Sequence, residues 1–371
     1  MKILITANSA WNILNFRRPL VEAMMKDGHK VIVLSGLDDS VEELEALGCS
    51  FRSIEIDSKG TNPLIDARLQ SSFGRVLQEE RPDAVLSFTI KNNIFGARAA
   101  KKEGIPFLPT ITGLGTAFLS GFILQNIAEA LYRWSFSAAP VVFFQNRDDL
   151  ELFVDRRIIR ADQAQLIPGS GIDLERFAPV EMPALGAPPI FLLIGRILRD
   201  KGVMEFVGAA RQLKARNPNL RFQLLGSIGS ENRTAIDTKT VDGWVSEGVI
   251  EYLGATLDVR PAISASSCIV LPSYREGAPR ALIEAAAMAR PLIATDVPGC
   301  RSVVDSGVSG YLCASHSSES LAEAIEHFLA IPPALQRAMG LAGRAKMERE
   351  FDQVLVVNSY REALSKLVPH H

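Results

Sequence analysis

Residues 273–299 read SYREGAPRALIEAAAMARPLIATDVPG, and this stretch indicates the fold class of the chain. A loop broken by glycine and proline leads into an alanine-rich helix. An apolar strand follows over residues 291–295, and Pro298 with Gly299 forms the next turn. A helix between two buried apolar strands is typical of a parallel α/β sheet, because parallel strands need a crossover connection.

Two glutamates in this stretch, Glu276 in the loop and Glu284 eight residues later in the helix, indicate a binding site. The N–H groups and the dipole at a helix N-terminus favour a phosphate. A carboxylate accepts hydrogen bonds from sugar hydroxyls, so the pattern suits a nucleotide-sugar. A loop cap followed by a solvated helix residue would give the same spacing. However, the alanine-rich run after Glu284 predicts tight packing, in which a carboxylate needs a partner.

A second stretch, FLLIGRILRDKGV over residues 191–203, places two cations near the end of a buried strand. Arg196 follows the strand, Lys201 precedes the next helix, and Gly195 lets the backbone turn tightly. Both side chains can converge at the carboxyl edge of the sheet, where arginine offers a fork and lysine a point charge to phosphate oxygens. Two solvated cations at a strand–helix turn are the ordinary alternative.

Together the two stretches resemble the retaining family 4 glycosyltransferases of the GT-B fold, with their Gly-Arg…Lys-Gly motif and E-x7-E segment. The resemblance implies that Arg196 and Lys201 bind the donor pyrophosphate, that Glu284 binds the ribose hydroxyls and that Glu276 contacts the transferred sugar. The catalytic residues would then be Glu276, Arg196 and Lys201. The donor-binding residues would be Gly195, Gly226, Gly277, Ala278, Arg280 and Glu284.

A length of 371 residues exceeds what one compact core holds, so two domains are expected. The strand–helix rhythm restarts after MPALGAPP, residues 182–189, a linker without charge. The sequence predicts an α/β protein of the GT-B type, with two Rossmann-like doubly wound domains facing across a cleft. The predicted boundaries are 1–180 for an acceptor-binding domain, 189–350 for a nucleotide-sugar-binding domain and 351–371 for a final helix packing back on the first.

Periodicity predicts the elements of both domains. In the first half we expect strands over residues 3–7, 31–35, 51–56, 84–89, 106–110, 141–144 and 166–168. Helices are expected there over residues 15–26, 41–47, 64–80, 93–103 and 118–136. In the second half strands are expected over residues 189–194, 222–225, 249–253, 269–272, 291–295 and 311–313. Helices are expected there over residues 203–216 and 353–367, with one more beginning at residue 280 and others from about residue 318 onward.

The composition excludes several function classes. The formal net charge is −2 with no basic tail, so no nucleic-acid partner is expected. Cys49, Cys268, Cys300 and Cys313 form no CxxC pair and indicate reduced thiols in a cytoplasmic protein. No Asp-x-Asp sequence occurs, so we expect no metal site and no cofactor. The opening MKILITANSA is read as a first strand and not as a signal peptide.

Three strings of the first half, NSAWNILNFRRPL, SFTIKNNIFG and ITGLGTAF, look like the branch of the family that builds bacterial surface glycans on undecaprenyl diphosphate. The likeness implies a lipid-linked or polysaccharide acceptor, contacted by Asn15, Arg17, Arg18, Lys91, Thr112 and Gly113. Solvated surface charges are the alternative for the cations. The family's Gly-Gly loop is missing, and no histidine stands between His29 and His316, so no general base is assigned.

Residues 104–128 carry no charge, but prolines and glycines interrupt them, which argues against a transmembrane helix. The apolar helix expected over residues 118–136 would be part of the core, or a peripheral contact with the cytoplasmic face of the inner membrane.

The expected reaction moves a hexose or N-acetylhexosamine from a nucleoside diphosphate, expected to be UDP, to that acceptor. Two alternatives remain at this stage: a UDP-sugar 2-epimerase on the same fold, and a non-catalytic nucleotide-sugar binder. The lack of any histidine between His29 and His316 counts against the epimerase.

Overall fold

The computed structural model describes residues 1–57, 62–114, 122–184, 186–229 and 232–367. The chain divides into two compact units, residues 1–171 with 353–371, and residues 172–352. The first four residues of the helix expected over 118–136, and the loop residues 115 and 116 before it, lie outside the described residues.

The first unit contains a seven-stranded parallel sheet in the order β3-β2-β1-β4-β5-β6-β7. Its strands are β1 (Lys2–Ser9), β2 (Lys30–Gly36), β3 (Ser50–Ser53), β4 (Ala84–Phe88), β5 (Phe107–Ile111), β6 (Val142–Phe144) and β7 (Ala164–Leu166). The helices between them are α1 (Ala10–Lys26), α2 (Val41–Ala46), α3 (Pro63–Glu80), α4 (Ala97–Glu103), α5 (Phe122–Ser135) and α6 (Arg147–Asp155).

Helices cover both faces of this sheet, so its central strands are buried along almost their whole length. Neighbouring residues of β1 therefore enter different cores: Leu4 packs in one cluster, and Ile3 and Ile5 in the other. β1 pairs with both β2 and β4, with Ile3 opposite Val31 and Ala84. The strand order reverses between β1 and β4, which is where ligands of doubly wound sheets usually bind.

The second unit repeats the plan with a six-stranded parallel sheet in the order β10-β9-β8-β11-β12-β13. The strands are β8 (Ile190–Ile194), β9 (Arg221–Leu225), β10 (Glu251–Tyr252), β11 (Cys268–Leu271), β12 (Leu292–Thr295) and β13 (Gly310–Cys313). Its helices are α7 (Val203–Arg216), α8 (Thr238–Ser246), α9 (Arg260–Ala265), α10 (Arg280–Ala287), α11 (Cys300–Val303), α12 (Ser318–Ala330) and α13 (Pro333–Glu350). The predicted fold class, two doubly wound α/β units, is confirmed.

The last helix, α14 (Gln353–Leu367), belongs to the first unit. Its buried face enters the core formed by β1, β2 and β4. Tyr360 is fully buried, lies 4.5 Å from Phe143 between ring centroids, and its hydroxyl is 2.6 Å from the hydroxyl of Thr110. The chain therefore closes the first unit with its C-terminal segment.

The boundary between the units differs from the expected one. The division falls after Gly171, so residues 172–180, assigned above to the first domain, belong to the second unit. Arg290 and Arg344 hold this segment there, because they donate to its carbonyls from Leu174 to Glu181. Hydrogen bonds from two arginine side chains to backbone carbonyls produce no periodic pattern in the sequence, so the sequence could not predict this boundary.

Several elements also differ from the sequence prediction. Periodicity missed α6, α8 and α9, which begin at polar or proline-containing turns. In α6 the Asn146 side chain caps the helix by accepting from the Asp149 N–H, and only Asp149 and Phe153 are buried. α1 begins at Ala10 rather than residue 15 because Ser9 accepts from the Asn12 N–H. The helix expected over 93–103 starts as a π-helical turn over residues 92–96.

Candidate active site

The carboxyl end of β8 places the two predicted phosphate-binding cations. Gly195 follows the strand and hydrogen-bonds through its N–H to Leu225 O, at 2.9 Å. Arg196 comes next and is exposed, with no side-chain partner among the described residues. Lys201 ends a short 3-10 turn that leads into α7, so both cations lie near the N-terminal end of that helix.

The turn at Lys201 is held against the loop after β11. Gly202 has a positive φ of 71°, and a Cβ there would collide with the backbone of Pro272. Asp200 O accepts from the Tyr274 N–H at 2.9 Å and from the Ser273 hydroxyl at 3.0 Å. These contacts bring the Lys201 turn and the Glu276 loop together.

Lys201 and Glu276 form an ion pair at this junction. The Lys201 Nζ donates to Glu276 Oε1 at 2.5 Å, and the two side chains are 23% and 11% exposed. Because both side chains are mostly shielded from water, this ion pair interacts more strongly than a pair on the surface does. Both side chains still keep some contact with solvent. The structure therefore joins two of the three residues predicted to be catalytic.

The Glu276 loop is fixed on its other side by the turn after β12. The Glu276 N–H donates to Pro298 O at 3.3 Å. Gly299 has a φ of 82°, and a Cβ there would lie 2.5 Å from Glu276 O. Only glycine permits so close an approach in this backbone conformation.

The helix α10 starts directly after this loop. Pro279 is its N-cap in extended conformation, and its carbonyl accepts from the N–H groups of Leu282 and Ile283. Gly277 is buried and Ala278 is half-buried in the loop before it. The Ala278 N–H has no hydrogen-bond partner among the described residues, so it remains available at the positive end of the helix dipole.

Glu284 lies one turn into α10 and is only 7% exposed. The Arg280 guanidinium donates to Glu284 Oε1 at 2.5 Å across one helical turn. Burial raises the pKa of the Glu284 carboxyl above its usual range, and the positive charges of Arg280 and Arg176 oppose that shift. Burying a carboxylate lowers the stability of the folded protein. Residues with such a perturbed pKa are typical of functional sites.

Gly226, predicted to bind donor, has a packing role in the structure. It follows β9 with a φ of 152°, and a Cβ there would collide with the carbonyl of Gly195. Its carbonyl accepts from the Tyr252 hydroxyl at 2.8 Å. Gly226 and Gly195 thus let β8 and β9 end side by side.

Sequence reasoning missed two sets of residues near this site. Arg176 lies in the segment after Gly171, where no site residue was predicted, yet its charge acts on the buried Glu284. Tyr274 was not predicted to be a site residue. Its hydroxyl donates to Glu205 at 2.8 Å, and its ring lies on the imidazole of His316. Tyr274 stands two residues before Glu276 in the sequence, and this proximity could have identified it. Nothing in the sequence connects Arg176 with Glu284.

Two of the candidate acceptor residues in the first unit, Arg17 and Arg18, differ in their exposure. Arg17 is 4% exposed, with its guanidinium 4.2 Å from the centroid of the Phe88 ring. Arg18 is exposed and pairs with Glu22 and Glu43, at 2.8 Å and 2.7 Å. Adjacent helical residues point about 100° apart, so Arg17 and Arg18, both expected to contact the acceptor, face different directions.

The remaining acceptor candidates follow β4 and β5 or lie on α1. Lys91 pairs with Asp66 at 2.7 Å, and both side chains are mostly shielded. Thr112 and Gly113 follow β5 and are half-buried, with Gly113 at a φ of 128°. Asn15 donates to the Trp11 carbonyl at 3.2 Å.

The geometry of the second unit suits a diphosphate bound between cations and a helix N-terminus. Arg196 and Lys201 can take phosphate oxygens, and the Ala278 N–H can donate to a phosphate or hydroxyl oxygen. Glu276 and Glu284 can accept from hydroxyls on either side. Among the described residues no group of three or more side chains could hold a metal ion.

Comparison with known proteins decides the family. A family model for the glycosyl transferase 4-like domain matches residues 15–169, and the model for glycosyl transferases group 1 matches residues 188–330. Together they span about four fifths of the chain. The chain is a glycosyltransferase that contains these two domains.

Relatives of this glycosyltransferase come from bacterial glycan assembly. N,N'-diacetylbacillosaminyl-diphospho-undecaprenol alpha-1,3-N-acetylgalactosaminyltransferase of Campylobacter jejuni is 26% identical, over 99% of each chain. UDP-Gal:alpha-D-GlcNAc-diphosphoundecaprenol alpha-1,3-galactosyltransferase of Escherichia coli is 26% identical, over 70% of each chain. These relatives are transferases and do not favour the epimerase or the non-catalytic binder.

Solved structures agree on the fold. The glycosyltransferase superposes on Anabaena Alr3699/HepE in complex with UDP-glucose with a TM-score of 0.79 at 19% identity, over 99% of this chain and 100% of that one. It superposes on the sucrose-phosphate synthase of Thermosynechococcus elongatus with a TM-score of 0.80 at 21% identity, over 99% of each chain. Both comparisons confirm the GT-B fold.

Proposed function

We propose that this glycosyltransferase moves a hexose or N-acetylhexosamine from a UDP-sugar, with retention, to a sugar linked to a lipid diphosphate or to a polysaccharide. The process served would be bacterial surface-glycan synthesis. The observation that carries the donor half is the Lys201–Glu276 pair at the N-terminal end of α10, 2.5 Å between the two charged groups.

Arg196 and Lys201 stabilise the leaving nucleotide. Breaking the sugar–diphosphate bond places negative charge on the β-phosphate, and two cations at this edge can take it up. Arg196 is exposed and has no ion pair to give up among the described residues. Such preorganised stabilisation of transition-state charge contributes several kcal/mol in comparable sites.

Glu276 acts on the sugar side of the same bond. The sugar carbon gains positive charge as the bond breaks, and a carboxylate nearby stabilises it. When a donor diphosphate replaces Glu276 as the partner of the Lys201 ammonium, the Glu276 carboxylate becomes free to accept hydrogen bonds from the sugar hydroxyls. Glu284, buried beside Arg280, is placed to bind the ribose.

Retention follows without a protein nucleophile. The bond from the anomeric carbon to the phosphate oxygen breaks, and its electron pair leaves with that oxygen. The acceptor hydroxyl oxygen bonds to the same carbon from the same face. Its proton passes to the departing phosphate oxygen, so no general base in the first unit is needed.

The acceptor half of the proposal rests on the relatives. The names of two of them specify undecaprenol-linked diphosphate sugars as acceptors and alpha linkages as products. In the first unit, Lys91, Thr112 and Gly113 follow β4 and β5 on the edge where ligands of doubly wound sheets bind.

A lipid-linked acceptor requires access to the membrane surface. No helix within the described residues is both long and apolar enough to span a bilayer. Tyr132 near the end of α5 and Phe136 just after the helix are buried in the core, whereas Ile127 and Trp134 on α5 are each 54% exposed. We place the peripheral contact with the cytoplasmic face of the inner membrane at these two exposed side chains.

Transfer to a defined acceptor tests the function. The purified protein is given UDP-hexoses and UDP-N-acetylhexosamines in turn, with a polyprenyl-diphosphate sugar, and the product is identified by mass and by the anomeric coupling in its NMR spectrum. An alpha product from one donor is expected. Release of UDP without a new glycoside, or a beta product, contradicts the proposal.

Two further assays test the metal and membrane proposals. EDTA is expected to leave the rate unchanged, and a loss restored by Mn²⁺ would show a metal requirement. Vesicles containing phosphatidylglycerol are expected to co-sediment the protein, less so after Trp134→Ala. Trp11→Ala is the matched control, since Trp11 is 47% exposed outside α5; equal loss in both variants contradicts the assignment to α5.

A further inference from the structure

Tyr274 joins three parts of the second unit through its side chain. Its hydroxyl donates to Glu205 Oε1 at 2.8 Å, in the first turn of α7. Its ring lies on the imidazole of His316, with centroids 3.6 Å apart and planes at 31°. His316 precedes α12 and has a left-handed φ of 60°, a conformation that costs a non-glycine residue energy.

The backbone of Tyr274 lies in the loop that leads to Glu276. Its N–H donates to Asp200 O, one residue before Lys201. The main chain of Tyr274 therefore binds the 3-10 turn that contains Lys201. Its side chain binds the first turn of α7, the helix that follows. Glu276 follows two residues later, and its carboxylate meets the Lys201 ammonium.

The hydrogen bond from Tyr274 is partly buried. The Oε2 atom of Glu205 is buried without a partner in the described chain, and the Tyr274 hydroxyl donates to the other carboxylate oxygen, Oε1. Burial and the Glu205 hydrogen bond raise the pKa of Tyr274, and the phenol therefore stays a donor at neutral pH.

We propose that Tyr274, held between Glu205 and His316, is a positioning residue that fixes the Glu276 loop relative to Lys201. This inference rests on the proposed function, because it assigns Glu276 and Lys201 to the donor site. A displacement of about 1 Å in a reacting group can cost up to about a hundredfold in rate.

The test separates positioning from overall stability. Tyr274→Phe keeps the ring and its stacking but loses the hydrogen bond, and kcat is expected to fall about tenfold with the KM for the donor within about twofold. Tyr311→Phe is the control, since Tyr311 is a partly buried tyrosine near His327 on the same unit. Unchanged kcat in Tyr274→Phe overturns the proposal.

A double-mutant cycle with Glu276→Ala identifies the route of the effect. If Tyr274 acts through Glu276, Tyr274→Phe lowers kcat much less in the Glu276→Ala background than in the wild type. Equal loss in both backgrounds shows that Tyr274 acts by another route and contradicts the proposal.

Hydrogen exchange gives a readout that does not depend on activity. Tyr274→Phe is expected to speed exchange of the amides over residues 274–277 about tenfold or more, and Tyr311→Phe to leave them unchanged. Absence of transfer by the wild type would reject the proposed function alone. Unchanged exchange in Tyr274→Phe would reject the positioning role alone.

Discussion

Lys201 and Glu276 stand 75 residues apart in sequence and meet at 2.5 Å. Their contact depends on parallel strands, because the loops after β8 and β11 emerge at the same edge of the sheet. In the absence of donor each charge satisfies the other. The donor diphosphate can then replace the carboxylate as the partner of Lys201.

The first residue-scale prediction concerns this pair. Lys201→Ala or Glu276→Ala is expected to lower kcat by about two orders of magnitude or more, because each removes a contact made to charge that develops in the transition state. Steady-state kinetics on the purified variants measures it. Lys239→Ala is the control, since Lys239 is exposed on α8. Near wild-type rates for both site variants would refute the mechanism.

Glu284 gives a prediction about pH. Burial raises the pKa of its carboxyl, so the folded protein holds this proton more tightly than the unfolded chain does. Its contribution to stability is therefore complete below the usual glutamate pKa and is lost as the pH rises through the raised value. Glu284→Gln is expected to remove this loss, and so to be at least as stable as the wild type at neutral pH.

Thermal unfolding across about pH 4 to 8 measures the effect. The same substitution is expected to weaken UDP binding about tenfold, because an amide accepts more weakly from ribose hydroxyls than a carboxylate does. Glu247→Gln is the control, since it is also a paired glutamate but exposed. A difference in stability between Glu284→Gln and the wild type that stays constant over this pH range would contradict the linkage.

At the scale of elements, the site depends on turns that bring main chains unusually close. Gly299 allows the turn after β12 to lie against the carbonyls of Glu276 and Gly277. A side chain at this point would push the loop before α10 away from Lys201.

Gly299→Ala is therefore expected to lower kcat at least tenfold and to destabilise the second unit by about 2 kcal/mol or more, from strain and clash together. Gly307→Ala is a matched control, because Gly307 has nearly the same φ, 80°, with nothing within 4 Å of an added Cβ. Kinetics and denaturant unfolding are compared for both. If both substitutions lowered kcat and the free energy of unfolding equally, the positive φ, and not the close contact with Glu276, would be the cause.

The segment after Gly171 is bound to the second unit by a buried guanidinium. Arg290 is fully buried and donates to the carbonyls of Val180 and Glu181, and to those of Ile263 and Ser264 at the end of α9. Burial lowers its pKa to about 10, so it remains a cation at neutral pH.

Arg290→Met is expected to lower the free energy of unfolding by about 3 kcal/mol, because several buried carbonyls lose their donors. Urea titration measures it. Arg216→Met is the control: its pair with Glu326 is exposed, and its loss should cost less than about 1 kcal/mol. A similar small cost for Arg290→Met would mean that water replaces the guanidinium.

At the scale of the whole molecule, the chain returns to its first unit through α14. Residues separated by 250 positions, Thr110 and Tyr360, then share a buried hydrogen bond. The first unit cannot complete its core until the second has been synthesised, because part of that core lies at the C-terminus.

Tyr360→Ala is expected to destabilise the first unit by about 3 to 5 kcal/mol, the usual cost of emptying a large buried site. Leu355→Ala, 41% exposed on the same helix, is expected to cost less than about 1 kcal/mol. Denaturant unfolding compares them, and UDP affinity is followed in parallel. A large loss of UDP affinity in Tyr360→Ala would show that the donor site depends on the first unit.

The sequence by itself determined the fold class of this protein and predicted its candidate donor-site residues. Buried parallel strands are continuous apolar runs, and Gly-Arg…Lys-Gly and E-x7-E are local strings, so both can be read without knowing what packs where. The bounds of α7 and α14 followed for the same reason, since their apolar faces repeat with helical period.

Only the tertiary structure decided which residues meet. The Lys201–Glu276 contact, the anchor of Tyr274 on Glu205 and the burial of Arg17 under Phe88 all join residues far apart in the chain. The division after Gly171 and the short α6 and α8 also needed it, because single hydrogen bonds and caps stabilise them rather than a periodic apolar face. Local patterns specify elements, whereas long-range contacts arise only when those elements pack.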